Sequence, residues 1–224
     1  MIHWNEIDTV LLDMDGTLLD LHFDNYFWLE HLPQKYAEHH GIAKPEALAK
    51  LSKQMAAKVG QLEWYCLDYW SELTGLPIAQ LKHDVSHKIQ FRPHVPDFLD
   101  AVRKAGKRSV IVTNAHRDSV DLKMHHTGLD AMVDRIISSH DYGYAKEDQA
   151  FWHSLSQDEG FEKSRAVLID DSLAVLESAK RYGIGHLMCI HEPDSQKPKR
   201  QITDFHSIDA FTDVLPVPKD TPSE

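Results

Sequence analysis

A chain of 224 residues with 42% hydrophobic and 26% charged side chains has the composition of a globular protein with one large domain, or a core domain carrying a smaller inserted one. Its formal net charge of -11, from 35 acidic and 24 basic residues, argues against a nucleic-acid or anionic-membrane surface. An anionic small molecule is still compatible with this charge, because a metal ion or a few placed cations can reverse the field at one site.

The terminal sequence and the cysteine pattern predict a cytoplasmic protein. The first residues lack the basic and apolar regions of a secretion signal, and no apolar run approaches the roughly 20 residues that span a bilayer. Cys66 and Cys189 lie far apart without CxxC spacing, so neither a disulfide nor a cysteine-based zinc site is expected. The sixteen histidines show no metal-binding spacing, since adjacent pairs such as His39 and His40 do not share a helix face.

Short apolar runs that end in polar residues predict buried parallel strands. The candidates are TVLLDMD (9–15), RSVIVTNA (108–115), AVLIDDS (166–172) and, more weakly, RIISS (135–139) and HLMCI (186–190). Helical periodicity over 95–106 and 173–183 alternates with these runs, and each helical segment ends at a glycine. The alternation predicts an α/β fold with a Rossmann-like, mainly parallel sheet.

Residues 20–91 interrupt this alternation with a helical block. The stretches within it have helical periodicity and no strand signal, which predicts an all-helical cap inserted after strand 1. The core domain is then expected over 1–19 and 92–214, and a flexible, Pro-rich tail over 215–224. A cap that follows the first strand can cover whatever the carboxyl end of that strand presents.

Polar side chains follow the predicted strands at the points where they end, and open α/β sheets bind ligands at such carboxyl ends. These residues are Asp13, Asp15, Thr113, Asn114, Asp170 and Asp171. Carboxylates brought together there repel one another unless a cation joins them, and Mg²⁺ prefers oxygen ligands of this kind. Lys146, just before a further predicted helix, adds an ammonium group that can neutralise both a carboxylate and a phosphate. Together, these residue types predict a phosphoryl-transfer site.

In chain order, DMDGT, TNA, Lys146 and IDDS resemble the four motifs of the haloacid dehalogenase (HAD) superfamily. The resemblance covers residues 8–20 and 92–191. DMDG alone is equally compatible with a simple turn, because Asp-Gly pairs mark turns, but four ordered motifs argue against that alternative. The resemblance implies that Asp13 is a nucleophile, which forms an aspartyl phosphate, and that Asp15 is the general acid and base.

The same resemblance implies a phosphate site and a metal site. Thr113, the backbone of Asn114 and a turn at Gly16 are expected to hold phosphate oxygens, while Lys146 clamps the transferred group. Asp170 is alternatively a helix N-cap. Mg²⁺ is the implied cofactor, and its expected ligands are Asp13, Asp15, Asp171 and, directly or through water, Asp170.

Within the superfamily, Asp15 favours a phosphatase over a dehalogenase, because a halide leaving group needs no proton. LLDMDGTLLDLHFDNYFW, WYCLDYW and TNAH also resemble the bacterial 5'-nucleotidases that act on GMP and IMP, with Ala145 departing where proline is expected. This resemblance implies a Mg²⁺-dependent phosphomonoesterase of purine nucleoside 5'-monophosphates. The alternative is a phosphatase of another small ester such as a sugar phosphate, ahead of a phosphomutase or a catalytically idle binding protein.

Polar residues inside the apolar runs of the predicted cap are candidates for contact with the base. Asp24, Asn25 and Asp68 can read the edge of guanine or can cap helices, and both interpretations stay open. The many aromatic residues of the cap can stack on a base, although their helical spacing favours packing in a core. We expect a small-molecule phosphate ester as partner, no nucleic acid or membrane, and a monomer or weak homo-oligomer.

Overall fold

A parallel sheet organises the chain in the computed structural model, which describes residues 2–218. Within that range, six strands pair in the order β3-β2-β1-β4-β5-β6, and every pairing is parallel. The strands are β1 (Thr9–Leu12), β2 (Arg108–Thr113), β3 (Arg135–Ser138), β4 (Ala166–Asp170), β5 (His186–Ile190) and β6 (His206–Ile208). The predicted α/β fold with a mainly parallel sheet is therefore confirmed.

Both faces of the sheet are covered, because successive residues of a strand point to opposite sides. Val10 and Leu12 of β1 belong to one apolar cluster, whereas Leu11 belongs to a second. All four residues of β1 are buried. This two-sided burial explains why the strand has a continuous apolar sequence instead of an alternating one.

The chain between β1 and β2 begins with the helical block. Its helices are α1 (His22–Tyr26), α2 (Leu32–His40), α3 (Lys44–Ala56), α4 (Leu62–Tyr65), α5 (Leu67–Thr74) and α6 (Ile78–His83). A π-helical turn over Phe27–His31 joins α1 to α2. Turns of this type are frequent at functional sites.

Two adjacent segments connect this block to the sheet domain. Leu19 forms an antiparallel bridge with Phe91, and the N–H of Asp20 donates to the carbonyl of Gln90 at 2.9 Å. The chain therefore enters and leaves the helical block side by side.

The helices of the sheet domain alternate with its strands. They are α7 (Val95–Lys104), α8 (Arg117–Thr127), α9 (Gln149–Glu159) and α10 (Leu173–Tyr182). Phe98 and Leu99 of α7 pack in the first apolar cluster, and Phe151 and Trp152 of α9 pack in the second, on the opposite face. None of the helices within residues 2–218 is long and apolar enough to cross a membrane.

The sheet differs from the sequence-based prediction in where its strands end and in one added strand. β2, β3 and β4 end one or two residues before the predicted limits of 115, 139 and 172. The first strand ends at Leu12, before the predicted limit of 15, because the chain turns back and the N–H groups of Leu18 and Leu19 both donate to the carbonyl of Met14. The short strand β6 was not predicted. Three residues are too few to show a strand period, and β6 forms by pairing with β5.

The packed chain continues beyond the predicted end of the core domain at residue 214. Val217 is buried and belongs to the first apolar cluster, which also contains Val214. Val217 thus packs within the segment for which a flexible tail is predicted from residue 215, where a single apolar side chain near two prolines carries a weak sequence signal. Residues 219–224 of that predicted tail lie outside the described residues.

Replacing Val217 by aspartate is expected to lower the free energy of unfolding by at least about 2 kcal/mol, because a carboxylate would enter an apolar cluster. Urea unfolding at neutral pH measures this loss. The matched control is Val59→Asp, since Val59 is 65% exposed and the same substitution there should change stability by less than about 0.5 kcal/mol. Equal losses in the two variants would show that the segment after residue 214 is not packed.

Candidate active site

A cavity of about 350 Å³ lies at the carboxyl ends of β1, β2 and β4, beneath the helical cap. The predicted residues that line it are Asp13, Asp15, Thr113, Asn114, Lys146, Asp170 and Asp171 from the sheet domain, and Asp24 and Asn25 from the cap. Strand register explains why they meet: Leu12, the last residue of β1, pairs with Ile111 of β2 and Ile169 of β4. Residues that follow these three strands therefore emerge at one edge of the sheet.

Lys146 is the buried cation at the centre of the site. Its Nζ lies 2.6 Å from Oδ1 of Asp13 and 2.7 Å from Oδ2 of Asp170. Burial alone lowers the pKa of Lys146, but the two carboxylates outweigh this effect and the pKa is raised. The indole N–H of Trp152 donates to the Lys146 carbonyl at 2.8 Å and anchors the loop from below. Lys146 is therefore held as a charged group that links the ends of β1 and β4.

Thr113 and Asn114 end β2 at the cavity. The Thr113 hydroxyl accepts a hydrogen bond from the N–H of Ala115 at 3.0 Å, which leaves its own proton for a ligand oxygen. The Asn114 side chain accepts from the N–H of Lys146 at 2.9 Å and donates to Glu147 at 3.0 Å. The side chain of Asn114 thus fixes the loop that carries the central lysine.

Three carboxylates form a group that fits a hard cation. Asp13, Asp170 and Asp171 each offer one oxygen, and these oxygens lie within 4.8 Å of one another. Oδ2 of Asp13 is buried and has no hydrogen-bond partner among the described residues. Burial raises the pKa of Asp13 to about 6, and burial together with Asp13 and Asp170 raises the pKa of Asp171 well above its usual range. An oxygen-only donor set short of positive charge fits Mg²⁺.

Both carboxylate oxygens of Asp170 accept hydrogen bonds from the protein, whereas only one oxygen of Asp13 does so within residues 2–218. One of them accepts from the N–H of Ser172 at 2.8 Å, and the other accepts from Lys146. The first contact orders the turn into α10, where Ser172 itself is the N-cap residue. Asp170 therefore has a structural role in the turn, whether or not it also contacts a cation.

Gly16 allows the loop after β1 to approach the third carboxylate. Its φ of +85° is a left-handed conformation that glycine adopts without strain. A Cβ atom at this position would lie 2.8 Å from Cγ of Asp171, which is too close for any side chain. Gly16 is not one of the described residues that line the cavity. It supports the cavity by packing against Asp171.

A second set of buried charges joins Asp15 to the cap. Nζ of Lys123, on α8, lies 2.7 Å from Oδ1 of Asp15 and 2.7 Å from Oδ2 of Asp24. Lys82 of the cap binds the other oxygen of Asp24 at 2.8 Å. Burial raises the pKa of Asp15 to about 6. The pKa of Asp24 falls to about 2, because the two lysines outweigh the opposing effect of burial.

A family model described as haloacid dehalogenase-like hydrolase matches residues 7–183. The chain belongs to this family. The GMP/IMP nucleotidases YrfG of Escherichia coli (strain K12) and Shigella flexneri are each 40% identical over 215 residues, which cover 96% of this chain and 97% of each relative. The crystal structure of a HAD phosphatase from Thermococcus onnurineus aligns with a TM-score of 0.76 at 23% identity, over 93% of this chain and 96% of that one. The superfamily membership inferred from the four motifs is confirmed.

The cap residues predicted to contact a base occupy three different environments in this HAD-like hydrolase. Asp24 forms ion pairs with Lys82 and Lys123. The side-chain amide of Asn25 donates to Oδ2 of Asp194 at 2.6 Å. Asp68 is not among the described residues that line the cavity; its side chain is 82% exposed and lies 3.6 Å from His116. Of the three, Asn25 is the side chain best placed for a ligand in the cavity.

Aromatic side chains form the apolar wall of the cavity on the cap side. Trp28, from the π-helical turn, and Trp64 are partly exposed within it, whereas Trp70 is buried behind them. The hydroxyl of Tyr65 donates to Glu147 at 2.8 Å and so ties the cap to the loop of the central lysine. The cavity thus has a charged floor at the strand ends and an aromatic wall under the cap.

The lysines that flank Asp24 give a matched pair of variants. Lys123→Met is expected to lower the free energy of unfolding by about 3–5 kcal/mol, because Asp15 and Asp24 would share one remaining cation. Lys82→Met should cost less, since Asp24 would keep Lys123. Urea unfolding at neutral pH measures both. If the two variants lose equal stability, the contact of Lys123 with both Asp15 and Asp24 does not stabilise the fold by the amount expected.

Proposed function

We propose that this hydrolase is a Mg²⁺-dependent phosphomonoesterase that converts purine nucleoside 5'-monophosphates, foremost GMP and IMP, to nucleoside and phosphate. The observation that carries the proposal is the arrangement of Asp13 and Asp15: one oxygen of Asp13 has no hydrogen-bond partner within residues 2–218, and Asp15 stands two residues on beside the same cavity. The 40% identity to two GMP/IMP nucleotidases over nearly the whole chain supports the choice of substrate.

The first step is the transfer of the phosphoryl group to Asp13. Oδ2 of Asp13 attacks phosphorus, an oxygen–phosphorus bond forms, and the bond from phosphorus to the nucleoside 5'-oxygen breaks. Asp15 donates its proton to the departing oxygen. Lys146 stays on Oδ1 of Asp13 and, with Thr113, faces the negative charge of the phosphoryl oxygens.

The second step returns the enzyme to its starting state. Asp15, now ionised, takes a proton from a water molecule, and the water oxygen attacks phosphorus. The bond between phosphorus and Asp13 breaks, phosphate leaves, and the carboxylate of Asp13 is restored. Lys123 holds Asp15 in both steps through the contact at 2.7 Å.

For the cofactor, we propose Asp13 and Asp171 as the carboxylates that hold Mg²⁺, with Asp170 contributing directly or through water. Mg²⁺ bound there would supply positive charge against the phosphoryl oxygens. The carboxylate of Asp15 lies on Lys123, so we assign it to proton transfer and not to the metal. A cytoplasmic location and a monomer or weak homo-oligomer complete the proposal, and both rest on the sequence.

Asp13→Asn is expected to remove essentially all phosphate release while leaving the fold intact, because an amide cannot serve as the nucleophile. Asp15→Asn should lose steady-state phosphate release from both GMP and p-nitrophenyl phosphate, because Asp15 activates the water that hydrolyses the aspartyl phosphate. The initial release of p-nitrophenol, whose departure needs no proton, should be largely kept. Steady-state phosphate release and circular dichroism measure both effects. Near-normal turnover of GMP by Asp13→Asn would rule out the aspartyl phosphate.

Excess chelator is expected to abolish phosphate release, and added Mg²⁺ should restore it. Asp171→Asn should raise the Mg²⁺ concentration that gives half of the maximal rate at least about tenfold, as the loss of one charged ligand predicts. The control is Asp194→Asn, which removes a charge near the cap outside the three-carboxylate group. An identical Mg²⁺ dependence in Asp171→Asn and the unmodified enzyme would remove Asp171 from the metal site.

Selectivity should come from the cap side of the cavity, because the phosphate contacts are common to all esters. GMP and IMP share a 6-oxo group and an N1–H, and we expect kcat/KM for them to exceed that for AMP or CMP at least about tenfold, or about 1.4 kcal/mol. Asn25→Ala should lower the ratio of kcat/KM for GMP to kcat/KM for AMP. It should change kcat/KM for p-nitrophenyl phosphate by a smaller factor. Asp68→Asn, outside the cavity, is the control and should keep the preference. If sugar phosphates were hydrolysed better than every nucleotide, the nucleotidase assignment would be wrong. The alternative, a phosphatase of another small ester, would take its place.

A further inference from the structure

Within the described part of the chain, two groups of side chains could hold a metal ion, and only one of them is the aspartate group. The second consists of Cys66, His116 and His140, whose ligand atoms also lie within 4.8 Å of one another. These residues are separated by 50 and 24 positions in the sequence, so no sequence motif predicts that they lie together. The fold alone brings them together.

The three side chains come from both parts of the molecule. Cys66 precedes α5 in the cap, where its sulfur accepts a hydrogen bond from the N–H of Tyr69 at 3.5 Å. His116 precedes α8 and lines the catalytic cavity. His140 lies in a 3-10 turn, Ser139–Asp141, directly after β3. A metal held by this group would therefore join the cap to the sheet domain.

His140 offers the group a ring nitrogen that no other described residue uses. Its Nε2 is buried and has no hydrogen-bond partner within residues 2–218. The two imidazole rings lie edge to face, with centroids 5.0 Å apart.

The group is reachable and has room for a further ligand. Cys66 and His140 line a second crevice, of about 450 Å³, between the cap and the sheet domain. The carboxylate of Asp68 lies 3.6 Å from Nε2 of His116, on the side toward the cap. Metal sites with three protein ligands keep a fourth position for water or another ligand.

We propose that Cys66, His116 and His140 form a second metal site, selective for a thiophilic divalent cation such as Zn²⁺, which fastens the cap to the sheet domain. A thiolate and two imidazoles suit Zn²⁺ and exclude Mg²⁺, which prefers oxygen ligands. Binding converts the Cys66 thiol to a thiolate and releases one proton to the solvent. The site is thus chemically distinct from the aspartate group, and among its three residues only His116 also lines the catalytic cavity within the described part of the chain.

A functional consequence follows, and it rests on the proposed phosphatase function. His116 lines the catalytic cavity, and the metal would bind it to a residue of the cap. Exchange of nucleotide and nucleoside would be slowed as long as this link holds. Zn²⁺ is therefore expected to inhibit turnover in the presence of saturating Mg²⁺.

The test of the site is metal binding without substrate. Co²⁺ is titrated into the reduced, Mg²⁺-loaded protein, and thiolate-to-cobalt charge-transfer absorption is recorded and then displaced by Zn²⁺. We expect one equivalent to bind, and the signal to be lost in Cys66→Ser, which keeps a preferred helix N-cap residue. Cys189→Ser, which removes the other cysteine, should bind as the unmodified protein does. His140→Gln should weaken binding at least about tenfold.

Absence of the charge-transfer signal in the unmodified protein, or its persistence in Cys66→Ser, overturns the site. Inhibition is tested separately with Zn²⁺ at saturating Mg²⁺. Cys66→Ser should need at least about tenfold more Zn²⁺ for half-inhibition than Cys189→Ser. Equal inhibition of both variants would show that Zn²⁺ acts at the aspartate group and would overturn the link between cap and core. A protein without phosphatase activity leaves the Co²⁺ result valid, so failure of the proposed function is distinguished from failure of the site.

Discussion

The buried ammonium group of Lys146 is the contact on which the catalytic edge of the sheet depends. It binds Asp13 after β1 and Asp170 at the end of β4, two strands that are neighbours in the sheet. Without it, two adjacent buried carboxylates would repel each other in a medium that screens charge poorly. The amide of Asn114 and the indole of Trp152 hold its loop. The free oxygen of Asp13 is a consequence, because the lysine occupies only the other one.

Charge balance around this contact explains why the site suits a divalent cation. Five carboxylates face three ammonium groups: Asp13, Asp15, Asp24, Asp170 and Asp171 against Lys82, Lys123 and Lys146. The guanidinium of Arg200 also acts on Asp171, and the carboxylates still outnumber these cations. Two members of this network belong to the cap, since Lys82 and Asp24 extend it from Lys123 and Asp15. The cap thus contributes to the electrostatics of the proton-transferring residue as well as to the wall of the cavity.

The sequence predicted the parallel sheet, the helical cap and the residues at the strand ends, because these leave local signals: apolar runs, helical period and ordered motifs. It did not predict Lys123, which lies in a helix whose charged residues resemble a solvated face. Asp24 was considered as a base contact or helix cap, and the structure places it between two lysines instead. The group of Cys66, His116 and His140 was also missed, because ligands 50 and 24 residues apart have no common spacing. Such contacts depend on tertiary packing, and a period or motif does not encode them.

The central claim is that the free oxygen of Asp13 carries the phosphoryl group between the two half-reactions. The most direct measurement is to quench the enzyme during turnover of GMP, reduce it with borohydride, and sequence its peptides by mass spectrometry. Reduction converts an aspartyl phosphate to homoserine. We expect homoserine at position 13, and none in enzyme quenched without substrate. Homoserine at another position, or an unmodified Asp13 in enzyme that is turning over, would contradict it.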